Sequence, residues 1–400
     1  MLLVLTSTYP RWRDDPEPGF VHHLASHLTD WFQVVVLGPH APGARAEEWL
    51  DGVRVVRFRY APARFETLVN DGGIVQNLRR HRWKWLLVPG FLVSEFVTSL
   101  RLLRELRPAV VHAHWFVPQG LVAAACRRLL RNAPPFVLTS HGADLFALKG
   151  TLWRRLRRFV IGDAAEVTVV SSAMREALGR DGIDTTRVRV EPMGVDLEQR
   201  FTPDATVERI DDALLFVGRL VPKKGLHVLL DALPAIVAAR PAATLTIVGF
   251  GPELPALQSQ SQRLGVEDIV RFVGAVDQAS LPHHYRQASI FVAPFVEAPG
   301  GDQEGLGLVV VEAIGCGCRV VVSDLVGTLD FTEVPGVLTR IAPGDAAGLA
   351  LGVIEMLTAP RGVYSADIAR FDWRRRADAY TALLLNAAGL RASEVARPLR

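Results

Sequence analysis

The sequence predicts an α/β protein made of two doubly wound, Rossmann-like parallel-sheet domains. Short apolar runs recur through both halves, and helical patterns separate most of them. That alternation forms parallel sheets covered by helices. The 400 residues suit two α/β domains. A hydrophobic content of 49% is ample for two cores.

In the first half, strands are expected at 2–6, 34–38, 53–57, 109–113, 136–139 and 166–170. Helical periods fall at 19–30, 92–106, 120–130 and 173–180. The second half repeats the scheme, with strands at 213–217, 244–248, 269–273, 289–293 and 319–323. Its helices are expected at 226–240, 252–264, 280–284 and 308–315. Residues 194–204 are polar, hold Gly194 and Pro203, and lack a clear period, which marks a linker. The last periodic stretch, 373–387, is apolar on one face. The expected divisions are therefore 1–195, 196–372, and a terminal helix with a fraying tail over 373–400.

Bulk properties exclude several classes. A net charge of +3 exerts no general pull toward nucleic acid. Three cysteines cannot make a disulfide scaffold. Cys316 and Cys318 are too close to bridge, and read as packing residues at a helix end. Met1–Leu5 is read as a buried strand rather than a leader, because Arg11, Arg13 and a Pro-rich acidic stretch follow. The apolar region 86–106 contains Pro89, Glu95, Arg101, Arg104 and Glu105, so it is not read as a membrane span.

The most informative segment is Gln303 to Asp324, QEGLGLVVVEAIGCGCRVVVSD. Seven residues separate Glu304 from Glu312, and between them a Gly-Leu-Gly turn enters an apolar helix. Eight helical residues would rise about 12 Å, enough to set two carboxylates at opposite ends of a nucleotide diphosphate-sugar. The helix start between them would present N–H groups to the diphosphate. A carboxylate at Glu312, among Val309, Val310, Val311, Ala313 and Ile314, needs a partner, either ribose hydroxyls or an Arg. The second motif is LLFVGRLVPKKG at 214–225, where an apolar strand ends in Gly218 and the turn carries Arg219 and Lys224. Cations at the carboxyl end of a strand suit a diphosphate. Only four of the 45 basic residues are Lys, yet two of them lie in this turn.

Together, GRLVPKKG and the E-x7-E pair resemble family 4 of the retaining glycosyltransferases, over nearly the whole chain. TSTYPRW, PEPGF, SHGAD at 140–144 and EPMGVD at 191–196 add weaker points of likeness. The resemblance implies the GT-B fold, two Rossmann-like domains facing across a cleft. The first would bind acceptor and the second the nucleotide-sugar, with the terminal helix crossing back to the first. It implies catalytic roles for His141, Arg219, Lys224 and Glu304. Donor-binding roles would fall to Gly19, Gly218, Gly249, Gly274, Gly305, Leu306, Gly307, Leu308 and Glu312. His114 and Asp144 would serve the acceptor or order its loop. Many relatives carry a Gly pair where this chain has Pro18-Gly19-Phe20.

The implied reaction is transfer of a hexosyl unit from a nucleotide diphosphate-sugar to an acceptor hydroxyl, with retention, in bacterial cell-surface polysaccharide or glycolipid synthesis. No cofactor is expected. No Asp-x-Asp motif occurs, so Arg219 and Lys224 are expected to replace a metal. His112 and His114 share a strand face but lack a third ligand for zinc. The pairs His22-His23 and His283-His284 read as surface residues. An epimerase or hydrolase on the same fold is the alternative, as is a soluble small acceptor. An NAD-type oxidoreductase is disfavoured, since no G-x-G-x-x-G follows the first strand.

Arg79-Arg80-His81-Arg82-Trp83-Lys84-Trp85 precedes an apolar run, a composition suited to an anionic membrane surface. Arg154, Arg155, Arg157 and Arg158 are candidates to extend it. The expected acceptor is a lipid-linked glycan or lipid. The expected location is the cytoplasm, with the inner face of the cytoplasmic membrane as a candidate peripheral site.

Overall fold

The structure, a computed structural model, describes residues 1–13, 15, 19–70, 73–328, 330–331, 333–362 and 366–391. Pro16, Glu17 and Pro18 of the PEPGF loop, and the tail 392–400, lie outside the described residues. The chain divides into two compact units, Met1–Met193 with Trp373–Arg400, and Gly194–Asp372.

In the first unit, β1 (Leu2–Leu5), β2 (Val34–Pro39), β3 (Glu47–Leu50), β4 (Val53–Phe58), β5 (Val110–His114), β6 (Phe136–Ser140), β7 (Glu166–Val169) and β8 (Val188–Val190) form one sheet. Its order is β3-β4-β2-β1-β5-β6-β7-β8. Among the described residues of this sheet, only the β3–β4 edge pair is antiparallel. β1, β5 and β6 are buried along their whole length, as a parallel sheet covered on both faces requires. The helices of this unit are α1 (Phe20–His27), α2 (Ile74–Arg80), α3 (Leu87–Leu106), α4 (Leu121–Leu129), α5 (Ala143–Phe146), α6 (Thr151–Asp163) and α7 (Ser172–Arg180).

The second unit has a wholly parallel sheet ordered β11-β10-β9-β12-β13-β14. Its strands are β9 (Ala213–Val217), β10 (Thr244–Val248), β11 (Val270–Gly274), β12 (Ile290–Ala293), β13 (Arg319–Ser323) and β14 (Leu338–Ile341). α8 (Leu226–Ala239), α9 (Leu254–Arg263), α10 (Leu281–Gln287), α11 (Leu308–Gly315) and α12 (Ala346–Thr358) accompany them. α8 and α12 pack together, and Leu229, Leu233, Ile247, Val292, Leu349 and Val353 share one core.

α13 (Trp373–Ala388) belongs to the first unit and packs on α1, β5 and β6. It buries Trp373, Tyr380, Leu383 and Leu384, and each of the two leucines is worth roughly 1.5–3 kcal/mol when fully removed from water. The Tyr380 hydroxyl donates to Glu191 O at 2.8 Å, and Arg376 pairs with Glu191 at 3.0 Å.

Several elements depart from expectation. β3, β8, β14, α2, α5, α6 and α12 were not anticipated from the pattern. β3 reads EEWL and is largely solvent-exposed, so it lacks an apolar run. α3 begins at Leu87 rather than 92, because Pro89 is tolerated in a first helical turn. His22 is no surface residue: its Nδ1 meets the Tyr9 hydroxyl at 2.8 Å and its Nε2 meets Asp51 at 2.8 Å. Arg157 is buried against Asp181 at 2.5 Å and donates to Leu148 O at 3.0 Å, so it adds nothing to a basic surface. Lys84 is also buried, donating from Nζ to Thr67 O at 2.8 Å and Asn77 Oδ1 at 2.6 Å. α3 with the preceding turn, Arg82–Leu106, is long and apolar enough to cross a bilayer by length and composition alone. Its inner face, however, carries Phe91, Glu95, Ser99, Leu102 and Leu103 into the first unit.

Candidate active site

In the second unit, the expected donor residues gather at the carboxyl ends of the strands. Gly218, Gly249 and Gly274 end or follow β9, β10 and β11, three adjacent strands. Gly218 N donates to Val248 O at 3.0 Å, and Gly249 N to Gly274 O at 2.8 Å. The strand ends approach so closely that a Cβ on Gly249 would fall 1.9 Å from Gly218 O, and its φ is +145°. Only glycine fits there. After β9 the chain makes a turn at Pro222–Lys224, and Gly225 starts α8 at φ +68°.

That turn places Lys224 Nζ 2.8 Å from Glu304 Oε2, and 4.8 Å from the centre of the Phe295 ring. Lys223 reaches Asp302 at 3.2 Å and Gln303 O at 3.3 Å. Burial pushes the Glu304 carboxyl up, but Lys224, Lys223 and Arg219 outweigh it and hold the pKa at about 2. Glu304 is therefore a carboxylate among three cations.

Glu304 itself precedes the helix. α11 begins at Leu308, after Gly307 at φ +73°. Helix thus spans only part of the interval to Glu312, and the 12 Å of continuous helix expected from the sequence is corrected to a turn plus about one helical turn. Leu306 is buried, and a Cβ on Gly327 would meet Glu304 O at 2.3 Å. The backbone at Glu304-Gly305 is therefore gripped from outside the motif.

Glu312 is partly buried, and its hydrogen-bond partner is a tyrosine rather than an Arg. The Tyr285 hydroxyl donates to its Oε2 at 2.9 Å, and Tyr285 is fully buried. Burial raises Glu312 to about 7, with Tyr285, Lys224 and Arg200 pulling the other way. The two glutamates of one motif are thus driven apart. Glu312 favours the fold while protonated, so its contribution is complete below its ordinary pKa of 4.5 and is lost as pH rises through about 7. Glu304 contributes above 4.5 and loses that as pH falls through about 2. Glu312→Gln keeps the Tyr285 contact and removes the first dependence. The variant is expected to be more stable than the parent at pH 8, by on the order of 3 kcal/mol, and the gap should close toward pH 4.5. Urea melts at both pH values check this; a gap independent of pH would mean that Glu312 is not the titrating group.

In the first unit, His141 follows β6, and its Nε2 lies 2.9 Å from His114 Nδ1 at the end of β5. Burial drives the pKa of His112 and His141 down to about 3 and that of His114 well below its usual value, so all three rings are neutral near pH 7. His112 Nε2 contacts Thr139 Oγ1 at 2.8 Å. Phe20 and Trp115 each sit 4.8 Å from the His141 ring. Asp144 accepts from Phe116 N at 2.6 Å and Ser140 Oγ at 2.8 Å, so both carboxylate oxygens order the loop around His141. Gly19 has a negative φ, and an added Cβ would come no closer than 3.4 Å, to the His23 ring. Its backbone conformation alone does not require glycine.

Sequence reasoning missed Tyr285, Phe20 and Trp115. Tyr285 lies 27 residues from its partner, and no local pattern announces it. Trp115 holds φ +73°, an unusual position for a bulky residue, and its place directly after the His112-Ala-His114 strand was the available signal. Among the described residues, no group of three or more His, Cys, Asp or Glu is placed to hold a metal ion.

Residues 20–199 match Glycosyltransferase Family 4, and residues 211–359 match Glycosyl transferases group 1. A GDP-mannose-dependent alpha-(1-6)-phosphatidylinositol monomannoside mannosyltransferase of Mycolicibacterium smegmatis is 29% identical over 70% of this chain and 76% of its own length. A glycogen synthase of Mycobacterium tuberculosis is 28% identical over 92% of this chain and 90% of its own. A phosphatidyl-myo-inositol mannosyltransferase of the same species is 35% identical over 60% and 64%. Among solved structures, Anabaena HepE in complex with UDP-glucose superimposes with a TM-score of 0.71 at 19% identity, covering 96% of this chain and 99% of that one. A lipopolysaccharide outer core galactosyltransferase gives a TM-score of 0.66 at 14% identity, covering 96% and 99%. These two likenesses show the fold, a pair of Rossmann-like domains of the GT-B type. The chain belongs to the family 4, or group 1, glycosyltransferases.

Proposed function

We propose that this glycosyltransferase moves a hexosyl unit from a nucleotide diphosphate-sugar to a lipid-linked glycan or lipid, with retention at the anomeric carbon and without a metal. The observation that carries the donor reading is the Lys224–Glu304 pair beside Arg219. It offers fixed positive charge to a diphosphate and a carboxylate to sugar hydroxyls. Glu312 is suited to ribose hydroxyls. Gly218, Gly249, Gly274, Gly305, Gly307 and the backbone at Leu306 and Leu308 admit the donor closely. On the first unit, which we assign to the acceptor, neutral His141 is a partner for a sugar hydroxyl. His114 supports it, Asp144 orders its loop, and Gly19 lies at the start of α1.

By name, both mannosyltransferase relatives act on phosphatidylinositol-based lipids, and the Mycolicibacterium smegmatis one depends on GDP-mannose. Their likeness supports a glycolipid or cell-surface polysaccharide product. A panel of nucleotide-sugars, read by nucleotide release with and without acceptor, is expected to single out one donor. Proton NMR should then show the same anomeric configuration in donor and product, and chelator should leave the rate largely intact. An inverted product, or loss of activity restored by a divalent cation, would overturn the corresponding part of this reading.

A further inference from the structure

We propose that the outer face of α3, with the turn that leads into it, docks on the surface of an anionic lipid bilayer. The proposal rests on the lipid-linked acceptor reading above and adds the surface by which the chain would reach such an acceptor. Leu86, Val93 and Val97 are 82%, 62% and 57% exposed. With exposed Pro89 they are spaced three, four and four residues apart, which places them on one side of the helix. The opposite side, at Phe91, Glu95, Ser99, Leu102 and Leu103, is packed into the first unit. The helix thus has two apolar faces, and only one is used by the fold.

Aromatic residues extend the outer stripe at its start. Trp83 and Trp85 are both exposed, and Phe65 meets the Trp83 ring edge-on at 6.0 Å. Indole rings suit the headgroup level, where one edge is wet and the body is apolar. Arg64, Arg79, Arg80 and Arg82 are exposed in the same segments. No Asp or Glu occurs from 73 to 94. The stripe ends at Arg101, which pairs with Glu105 at 3.5 Å.

This charge pattern selects the occupant. A second copy seated on the same face would bring two arginine rims together, which like-charge repulsion opposes. An anionic leaflet complements the rim, and the apolar stripe with its aromatic edge enters the acyl boundary as an interfacial helix does. Because Lys84 is committed to Thr67 and Asn77, the attraction comes from the arginines.

Flotation of the full chain with vesicles of phosphatidylcholine containing phosphatidylglycerol tests the proposal. Binding is expected to need the anionic lipid, to weaken with salt, and to shift Trp fluorescence to the blue. Arg79→Gln, Arg80→Gln and Arg82→Gln together should lower the bound fraction at least about tenfold. Val93→Glu with Val97→Glu should abolish it. These positions are exposed, and circular dichroism verifies the fold. Both variants should retain parental turnover on a detergent-dispersed acceptor, so failed docking and a failed donor or acceptor assignment give different results. The proposal is overturned if the parent chain does not float at low salt. It is equally overturned if the Val93→Glu, Val97→Glu protein floats as well as the parent, or if the parent is a dimer that those changes split.

Discussion

Glu304→Ala and Lys224→Ala are each expected to lower kcat/KM by a factor of hundreds. A charge-assisted contact to an anion that develops in the transition state is worth roughly 3–4 kcal/mol. The two side chains are only 2.8 Å apart and both are largely buried, so neither change is purely catalytic. Removing Glu304 leaves Lys224 and Arg219 without the carboxylate that offsets them, and a loss of about 1–3 kcal/mol in stability should accompany the loss of rate. Because the pair acts as a unit, the double variant should be little worse than the poorer single one. Initial rates of nucleotide release, with urea melts of all four proteins, separate the two effects. Turnover near that of the parent in both single variants would place the donor site elsewhere.

Gly249→Ala is expected to be among the most damaging single changes in the second unit. Its Cβ would lie 1.9 Å from Gly218 O, at a φ of +145°. Neither strand end can yield easily, since Gly218 N is tied to Val248 O and Gly249 N to Gly274 O. Backbone strain alone is about 1–3 kcal/mol, and the overlap adds to it, so a loss of roughly 3 kcal/mol or more is expected, together with donor binding. Gly274→Ala is the matched control. Its φ is +85° but no atom lies within 4 Å of the added carbon, so it should suffer the strain without the collision. Thermal melts that show equal losses for the two variants would contradict this account of why glycine stands at 249.

Much of the architecture was legible because buried parallel strands are continuous apolar runs. Val34–Leu37, Leu214–Val217 and Val320–Val322 could hardly be read otherwise. α11 was legible despite three consecutive valines, which favour strand, because Gly305 and Gly307 punctuate its start. The edges were less legible: Val188–Val190 spans only three residues, and Glu47–Leu50 is half charged. Side-chain partners were the least legible. A string of Arg, Trp and Lys at 79–85 has the same composition whether Lys84 faces water or the interior, and only the carbonyl of Thr67 and the amide of Asn77 decide it. Likewise, the need for a partner at Glu312 followed from its apolar neighbours, but the partner, Tyr285, is brought in by α10 and not by any spacing within the motif.

The first unit is discontinuous along the chain, since α13 follows the whole of the second unit. A ribosome releases the chain from its amino end at about 5–20 residues per second. The roughly 180 residues of Gly194–Asp372 therefore impose a delay of about 10–40 s before α13 emerges. Throughout that interval the nascent first unit lacks Tyr380, Leu383 and Leu384, and its surfaces on α1, β5 and β6 stay uncovered. The half of the protein whose synthesis begins first is thus the half whose last element is made last.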